Sequence, residues 1–334
     1  LSTIGLVAIG RNEGTRLHRC LESVIKQADL VVYVDSGSTD GSVEFATTLG
    51  VEVVNLDLST PFTAARARNA GVKRLLELNP ELDFVQFVDG DCEVVEGWLN
   101  MAQQTLSDRQ DVAVVCGRRR ERFPDASVYN QICDIEWDTP IGEATACGGD
   151  AMMRMSAFQQ MQGFNAGLIA GEEPELCVRL RQQGWKILRI DADMTLHDAQ
   201  MMQFGQWWKR SQRAGFAFAQ GSWLHGRSPQ KHWVKESRRI WLWGLGLPLV
   251  ILAGLPISHG LSLALLAGYP VSAARTSRYI SRRGYDGSVA LRYGLLCTLG
   301  KFPELQGQLQ FHIGRLLNQQ QTLIEYKTGN EERP

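Results

Sequence analysis

Short apolar runs alternate with stretches of helical spacing along the first third of the chain. Ile4 to Ile9 is apolar, Arg11-Asn12-Glu13-Gly14 reads as a turn, and Leu17, Cys20, Leu21, Val24 and Ile25 recur at the spacing of one helix face. The same pattern predicts a strand over Leu30 to Val34, a polar turn from Asp35 to Gly41, a helix running to Leu49 and a strand over Val51 to Leu56. It then predicts a helix over Ala64 to Leu78 and a strand over Phe84 to Val88 that stops at Asp89-Gly90-Asp91. Strands and helices alternating at this pitch imply an α/β fold, a mostly parallel sheet with helices on both faces. Ligands in such sheets sit beyond the carboxyl ends of the strands. The polar punctuations after Ile9, Val34 and Val88 all fall there.

From Val112 to about His197 the alternation lapses. Val112 to Cys116 is strand-like and leads into the basic run Arg118-Arg119-Arg120-Glu121-Arg122, then a loop rich in Trp, Asp and Gly. Gly148-Gly149-Asp150 follows, then a helix from Pro174 to Gln183 closed by Gly184, and a strand-like Lys186 to Ile190. Beyond Gln203 the character changes again: residues 240–274 hold no Lys, Arg, Asp or Glu, a length that two short membrane-embedded helices would use with Pro256 to Gly260 as the bend. Residues 290–325 read as an amphipathic helix, suited to lying on a surface.

Composition narrows the class without naming a chemistry. A chain of 334 residues with 44% hydrophobic and 21% charged positions excludes disorder and a mostly buried membrane bundle. Thirty-five Lys plus Arg against 36 Asp plus Glu leave a formal charge of -1, so nothing in the balance calls for nucleic acid as a partner. Seven cysteines without a C-x-x-C pair fit neither a disulfide framework nor a zinc site, and suit a reducing compartment. No basic, small-residue leader is read at Leu1-Ser2-Thr3, and the missing Met suggests a trimmed start.

Asp89-Gly90-Asp91 is the most informative tripeptide. Residues two apart on extended backbone project to the same side, so both carboxylates are expected to face one point beyond the sheet, with Gly90 permitting the sharp exit. Two hard oxygen donors at one point suit Mg²⁺ or Mn²⁺, and such an ion suits a diphosphate. The competing explanation is ordinary turn chemistry. The chain lacks G-x-x-x-x-G-K-[ST], and Gly5, Gly10 and Gly14 do not form G-x-G-x-x-G, so P-loop hydrolysis and dinucleotide binding lose their usual signals.

Taken together, the motifs resemble a family 2 glycosyltransferase of the GT-A, Rossmann-like type. They are Arg11-Asn12-Glu13, Val34-Asp35-Ser36-Gly37-Ser38-Thr39-Asp40-Gly41, Ala67-Arg68-Asn69, Asp89-Gly90-Asp91 as the D-x-D signature, and Gly171-Glu172-Glu173-Pro174 ahead of Arg179-Leu180-Arg181. The resemblance spans roughly residues 1–220 and departs at Gly10, where the family often has proline, and at Glu172-Glu173, where it often has Glu-Asp. It implies inverting transfer of a sugar from a nucleotide-diphosphate donor to a hydroxyl, usually with a divalent cation. By position it implies Asn12, Glu13, Asp35, Arg68 and Asp89 at the donor, Asp91, Asp89 and His197 at the metal, and Glu173 with Glu172 at the base.

It also implies a catalytic domain over residues 1–225, its nucleotide-sugar half about 1–115 and its acceptor half about 116–225, followed by a helical region over 226–334. Arg118, Arg119 and Arg120 are candidates for an acceptor phosphate, since guanidinium groups match such oxygens bidentately. Gln206, Trp207, Trp208 and Arg210 resemble a Gln/Arg/Trp-rich helix near the acceptor or donor diphosphate in membrane-associated relatives; an interfacial amphipathic helix is the alternative. The acceptor is expected to be a glycan or a lipid-linked one. Six of the nine Trp lie between 207 and 243, and Lys235, Arg238, Arg239, Arg275, Arg278, Arg282 and Arg283 flank the apolar stretch, so a peripheral or hairpin attachment on the cytoplasmic side of a membrane is expected, with a buried helical pair in a soluble tail as the competitor. The competing functions are a nucleotidyltransferase, which would release pyrophosphate, and a catalytically silent sugar-nucleotide-binding protein.

Overall fold

The structure, a computed structural model, describes residues 2–318. These form two compact units that meet in sequence between Met202 and Gln203. The first carries β1 (Ile4–Gly10), α1 (Thr15–Val24), β2 (Leu30–Asp35), α2 (Ser42–Thr48), β3 (Glu52–Asn55), α3 (Ala64–Leu78), β4 (Phe84–Asp89) and β5 (Cys92–Val94). It continues through α4 (Trp98–Asp108), β6 (Val112–Glu121), α5 (Val128–Trp137), β7 (Gly142–Ala144), β8 (Ala151–Arg154), α6 (Met155–Gln160), α7 (Glu172–Gln182) and β9 (Lys186–His197).

All nine strands join one sheet in the order β3-β2-β1-β4-β8-β6-β9-β5, with β7 beside β9. The first four pair in parallel, as the alternating pattern predicts. From β8 onward the sheet is mixed: β8 runs antiparallel to both β4 and β6, whereas β6 and β9 are parallel. Buried on both faces, the central strands read as continuous apolar runs, and Leu6, Val7, Ala8, Val85 and Val88 are fully buried.

Two features of this sheet position the candidate site. Register sets Gly10 opposite Asp35 and Ile9 opposite Asp89, so the carboxyl ends of β2, β1 and β4 form one edge. Helix α3 lies close against that edge at Gly71, where an added Cβ would stand 2.3 Å from Val7 Cγ1. Only a residue without a side chain allows that approach.

The basic run continues the strand before it. β6 extends beyond Cys116 through Arg118, Arg119 and Arg120 to Glu121, and pairs with β9 with register shifts at Cys116/Arg118 and Arg118/Arg119. The stretch read as a loop after it contains α5, capped by the Ser127 hydroxyl accepting from Asn130 N.

The second unit is helical: α8 (Phe204–His225), α9 (Val234–Trp241), a π-helical turn (Leu242–Gly246), α10 (Leu247–Ile257), a 3₁₀ segment (Leu261–Ala267), α11 (Gly268–Arg282), α12 (Gly287–Leu299) and α13 (Lys301–Leu316). α8 and α13 cross closely, with Gly307 against the Gln212 carbonyl and Gly215 against Glu304. Helical segments lie on both sides of the expected bend: α9, the π turn and α10 form one continuous helix, Val234–Ile257, and the 3₁₀ segment and α11 follow the turn after it. Pro248 removes the N–H that would bond the Gly244 carbonyl, and the π turn absorbs the irregularity. The bend follows Ile257 rather than starting at Pro256, which closes the helix from inside its last turn. Among the described residues it is the one helix long and apolar enough to cross a membrane, and only 17% of its most apolar window is buried. The helix expected over residues 290–325 is two, broken at Gly300, and residues 319–325 lie outside the described ones.

Candidate active site

Arg68 is the hub of the site. It follows one turn after the α3 N-cap, where the Thr63 hydroxyl accepts from Arg66 N, and it is 2% exposed. Its Nη2 donates to Asp89 Oδ1 at 2.7 Å, and its Nη1 donates to Glu172 Oε1 at 2.9 Å and to Glu173 Oε1 at 2.6 Å. One guanidinium therefore joins the end of β4 to the start of α7. Burial opposes its charge, but Glu173, Asp89 and Glu172 hold its pKa above the usual value. The neighbouring Asn69 clamps the loop before α7, accepting from Phe164 N at 2.9 Å and donating to the Phe164 carbonyl at 2.8 Å.

Glu172 and Glu173 open α7 behind Gly171, which takes φ 81°, a left-handed conformation suited to glycine. Pro174 costs nothing there, because the first N–H groups of a helix have no intrahelical acceptor. Burial pushes Glu173 up to about 7, Glu172 adds to the rise and Arg68 opposes it. Gly149 faces these groups directly: a Cβ there would lie 2.6 Å from Arg68 Nη2, 2.8 Å from Asp89 Oδ2 and 3.2 Å from Glu173 Oε1.

The two acids of the D-x-D have different partners. Asp89 is held by Arg68 on one oxygen and by Arg119 Nη2 on the other, at 3.2 Å. Asp91 faces His197, whose Nε2 stands 3.1 Å from Asp91 Oδ2, with both residues buried. Pairing of Cys92 with His197 across β5 and β9 brings them together. Potential ligand atoms accordingly form two groups among the described residues, Asp91 with Cys92 and His197, and Asp89 with Cys92 and Asp150, in place of one point shared by both acids. A carboxylate oxygen beside an imidazole nitrogen is a donor set that fits Mn²⁺ or Mg²⁺. Among the described residues the other ring nitrogen, Nδ1, has no hydrogen-bond partner, and it lies 3.6 Å from Glu121 Oε2, a carboxylate suited to orienting a metal-binding imidazole.

Asp35 is 3% exposed and both its oxygens are engaged: Tyr33 Oη donates to one, and Gly37 N and Ser38 N donate to the other, each at 2.8 Å. Asn12, at φ 54°, accepts from Thr39 N at 2.7 Å and ties the first turn to the second. Glu13 pairs with Arg16 at 2.8 Å.

The arginines of the basic run are each paired with acidic side chains. Arg118 pairs with Asp134 at 3.0 Å, Arg119 with Asp150 and Asp89, Arg120 with Asp193 at 2.8 Å, and Arg122 with Glu93. The register shifts at Cys116/Arg118 and Arg118/Arg119 interrupt the strand alternation here, and each arginine meets a different carboxylate. Only Arg119 enters the site described here, where it lies over the Trp137 ring at 5.4 Å from its centroid. In α8, Gln206 accepts from Gln203 N in a capping box, Trp207 is buried beside Phe204, and Trp208 Nε1 donates to Gln306 Oε1 at 2.8 Å. Arg210 lies in the same helix.

Sequence reasoning missed Asp150 and Thr195. Asp150 is fully buried and accepts from Asp89 N at 3.0 Å, Arg119 Nε at 2.8 Å and Thr195 Oγ1 at 2.7 Å. The available signal was an acid directly after two glycines and before an apolar strand.

Residues 7–161 match glycosyl transferase family 2. The fold is similar to that of a mannosyltransferase from Pyrobaculum calidifontis solved with GDP-Man and Mn²⁺, with TM-score 0.58 and 17% identity over 92% of this chain and 86% of that one. In sequence the chain is 24% identical to the glycosyltransferase AglE of Haloferax volcanii over 61% of its own length and 69% of the relative's. It is also 24% identical to the O-antigen chain rhamnosyltransferase RfbN of Salmonella typhimurium, over 55% of its length and 62% of that protein's. Across its curated relatives, the matched part spans from about a quarter to about two thirds of their length.

Proposed function

We propose that this chain, which carries the glycosyl transferase family 2 domain over residues 7–161 on a GT-A fold, moves a sugar with inversion from a nucleotide-diphosphate sugar to a hydroxyl of a glycan or lipid-linked acceptor. The observation that carries this is the contact of one buried guanidinium, Arg68, with both Asp89 and Glu173. It sets the candidate base beside the acid that ends β4, at the sheet edge where α/β folds bind ligands. Asp91 and His197 would hold Mg²⁺ or Mn²⁺, which when bound supplies positive charge against the leaving diphosphate, and Asp89, in the neighbouring group, lies on the diphosphate side. Asn12, Glu13 and Asp35 shape the turns at the nucleoside end of the same edge.

In the transfer, the acceptor oxygen bonds to the anomeric carbon as the bond from that carbon to the diphosphate oxygen breaks. The nucleoside diphosphate leaves with the bonding pair, and the hydroxyl proton passes to Glu173 Oε. A base titrating at about 7 is matched to that proton near neutral pH. Glu172, more deeply buried and on the same guanidinium, holds the charge balance of the pair. On this account the catalytic residues all lie in the first unit, while α8, expected within a catalytic domain over residues 1–225, belongs to the helical unit; the helix Val234–Ile257 with the apolar segment after it attaches the protein to the cytoplasmic face of a membrane.

The test is a donor screen by thermal stabilisation with Mn²⁺, followed by product analysis on the donor found. Release of free nucleoside diphosphate, strongly reduced in Glu173→Gln, is the expected result. Pyrophosphate release would identify a nucleotidyltransferase instead, and unchanged transfer by Glu173→Gln would remove the base assignment.

A further inference from the structure

We infer that Asp150 is a positioning residue for the donor side of the site, holding Arg119 against Asp89 and fixing the backbone from which Asp89 projects; this rests on the reading of Asp89 as a donor-side residue. Asp150 begins the connection into β8, the strand between β4 and β6 in the sheet. From there its carboxylate reaches the ends of three other strands: Asp89 N on β4 at 3.0 Å, Arg119 Nε on β6 at 2.8 Å and Thr195 Oγ1 on β9 at 2.7 Å. No part of it is exposed, so it is unavailable to touch a substrate.

A buried carboxylate is costly unless its charge is matched, and here Arg119 supplies the match, with Nη2 at 2.7 Å from Asp150 Oδ2. The same Nη2 lies 3.2 Å from Asp89 Oδ2. Arg119 is thus held between an inner acid and an outer one, the outer acid being 28% exposed. Arg68 grips the other oxygen of Asp89, so the two guanidinium groups fix the plane of that carboxylate. Only Arg119 needs a further anchor among the strands, and Asp150 is that anchor. Asn at position 150 would keep one acceptor, toward Asp89 N, but would turn an amide N–H toward Arg119. The guanidinium then loses its inner partner, and Asp89 loses its fixed orientation.

The experiment measures binding of GDP and of UDP, each with Mn²⁺, by calorimetry on the full chain, using whichever the wild type binds more tightly. Asp150→Asn and Arg119→Gln are each expected to raise the dissociation constant at least tenfold. The double variant is expected to be no worse than about threefold beyond the weaker single one, because both changes remove the same arrangement. Additive losses, or an unchanged dissociation constant in Asp150→Asn alongside a lowered melting temperature, would overturn the inference and leave Asp150 a purely structural acid. If Asp150→Asn does not fold, Arg119→Gln decides alone: an unchanged constant refutes, a tenfold rise supports. The premise fails separately, and takes the inference with it, if wild type binds neither nucleotide or if Asp89→Asn binds as wild type does.

Discussion

At the scale of single residues, Glu173 has the most consequential environment. It is held at about 7 by burial and by Glu172, while Arg68 pulls in the other direction. Turnover is therefore expected to rise with pH through about 7, as the carboxylate becomes free to accept a proton, and Glu173→Gln should reduce it by roughly 10²–10⁴-fold and remove that limb. Steady-state rates between pH 5.5 and 8.5 check both. The same shift affects folding. Between the ordinary value of 4.5 and about 7, the folded chain binds a proton at Glu173 that the unfolded chain has released. Stability from this group is fully present below 4.5 and is lost as pH rises through about 7. Gln does not titrate, so the melting temperature of Glu173→Gln relative to wild type should increase from pH 5 to pH 8. A constant difference would mean that Glu173 titrates normally.

At the scale of elements, the placement of Arg68 depends on how closely α3 meets the sheet at Gly71. Ala at that position would press a methyl group onto Val7 and Val34, at 2.3 Å and 3.1 Å, in a region without free volume. Overpacking of this kind costs about 1–3 kcal/mol, and here it would also lift Arg68 away from Asp89 and the glutamates. Gly71→Ala should lower the urea midpoint and reduce turnover together, whereas Ala at the exposed Lys73 should do neither. β1 to β4 and α1 to α3 were legible in sequence because each is a contiguous pattern ended by turn residues, and the boundaries of α3 coincide with the expectation. β6 was legible only as far as Cys116. Its second half is charged, and the carboxylates that make those charges tolerable, Asp134, Asp150 and Asp193, come from other elements. Arg68 and Glu173 could be named from motifs, but their contact could not, since it spans 105 residues of chain. Asp150 gained its meaning from sheet order, which places β8 between β4 and β6 against the order of the chain.

At the scale of the whole molecule, the two units differ in what they leave exposed. The first buries most of its large apolar residues in a sheet core and exposes only scattered ones. The second exposes Leu249, Val250, Leu252, Ile257, Leu261 and Leu263 between stretches that carry Lys235, Arg238 and Arg239 before them and Arg275 and Arg278 after. Contiguous apolar surface of this kind marks an interaction site, and cations on both flanks suit anionic headgroups. The two contributions respond differently to salt: screening weakens the attraction of exposed arginines to headgroups, but not the burial of leucines in hydrocarbon. In flotation with vesicles containing anionic lipid, the protein is expected to float at low salt and to remain partly bound at 0.5 M salt (an ionic strength at which the screening length is about 4 Å). Each carboxylate set into the hydrocarbon costs about 2.5–3.5 kcal/mol on the insertion scale. Leu252→Glu with Leu263→Glu should therefore abolish flotation at both salt concentrations and leave the melting temperature nearly unchanged, because both side chains are exposed. Wild type that stays with the soluble fraction at low salt would assign the apolar face to a protein partner instead.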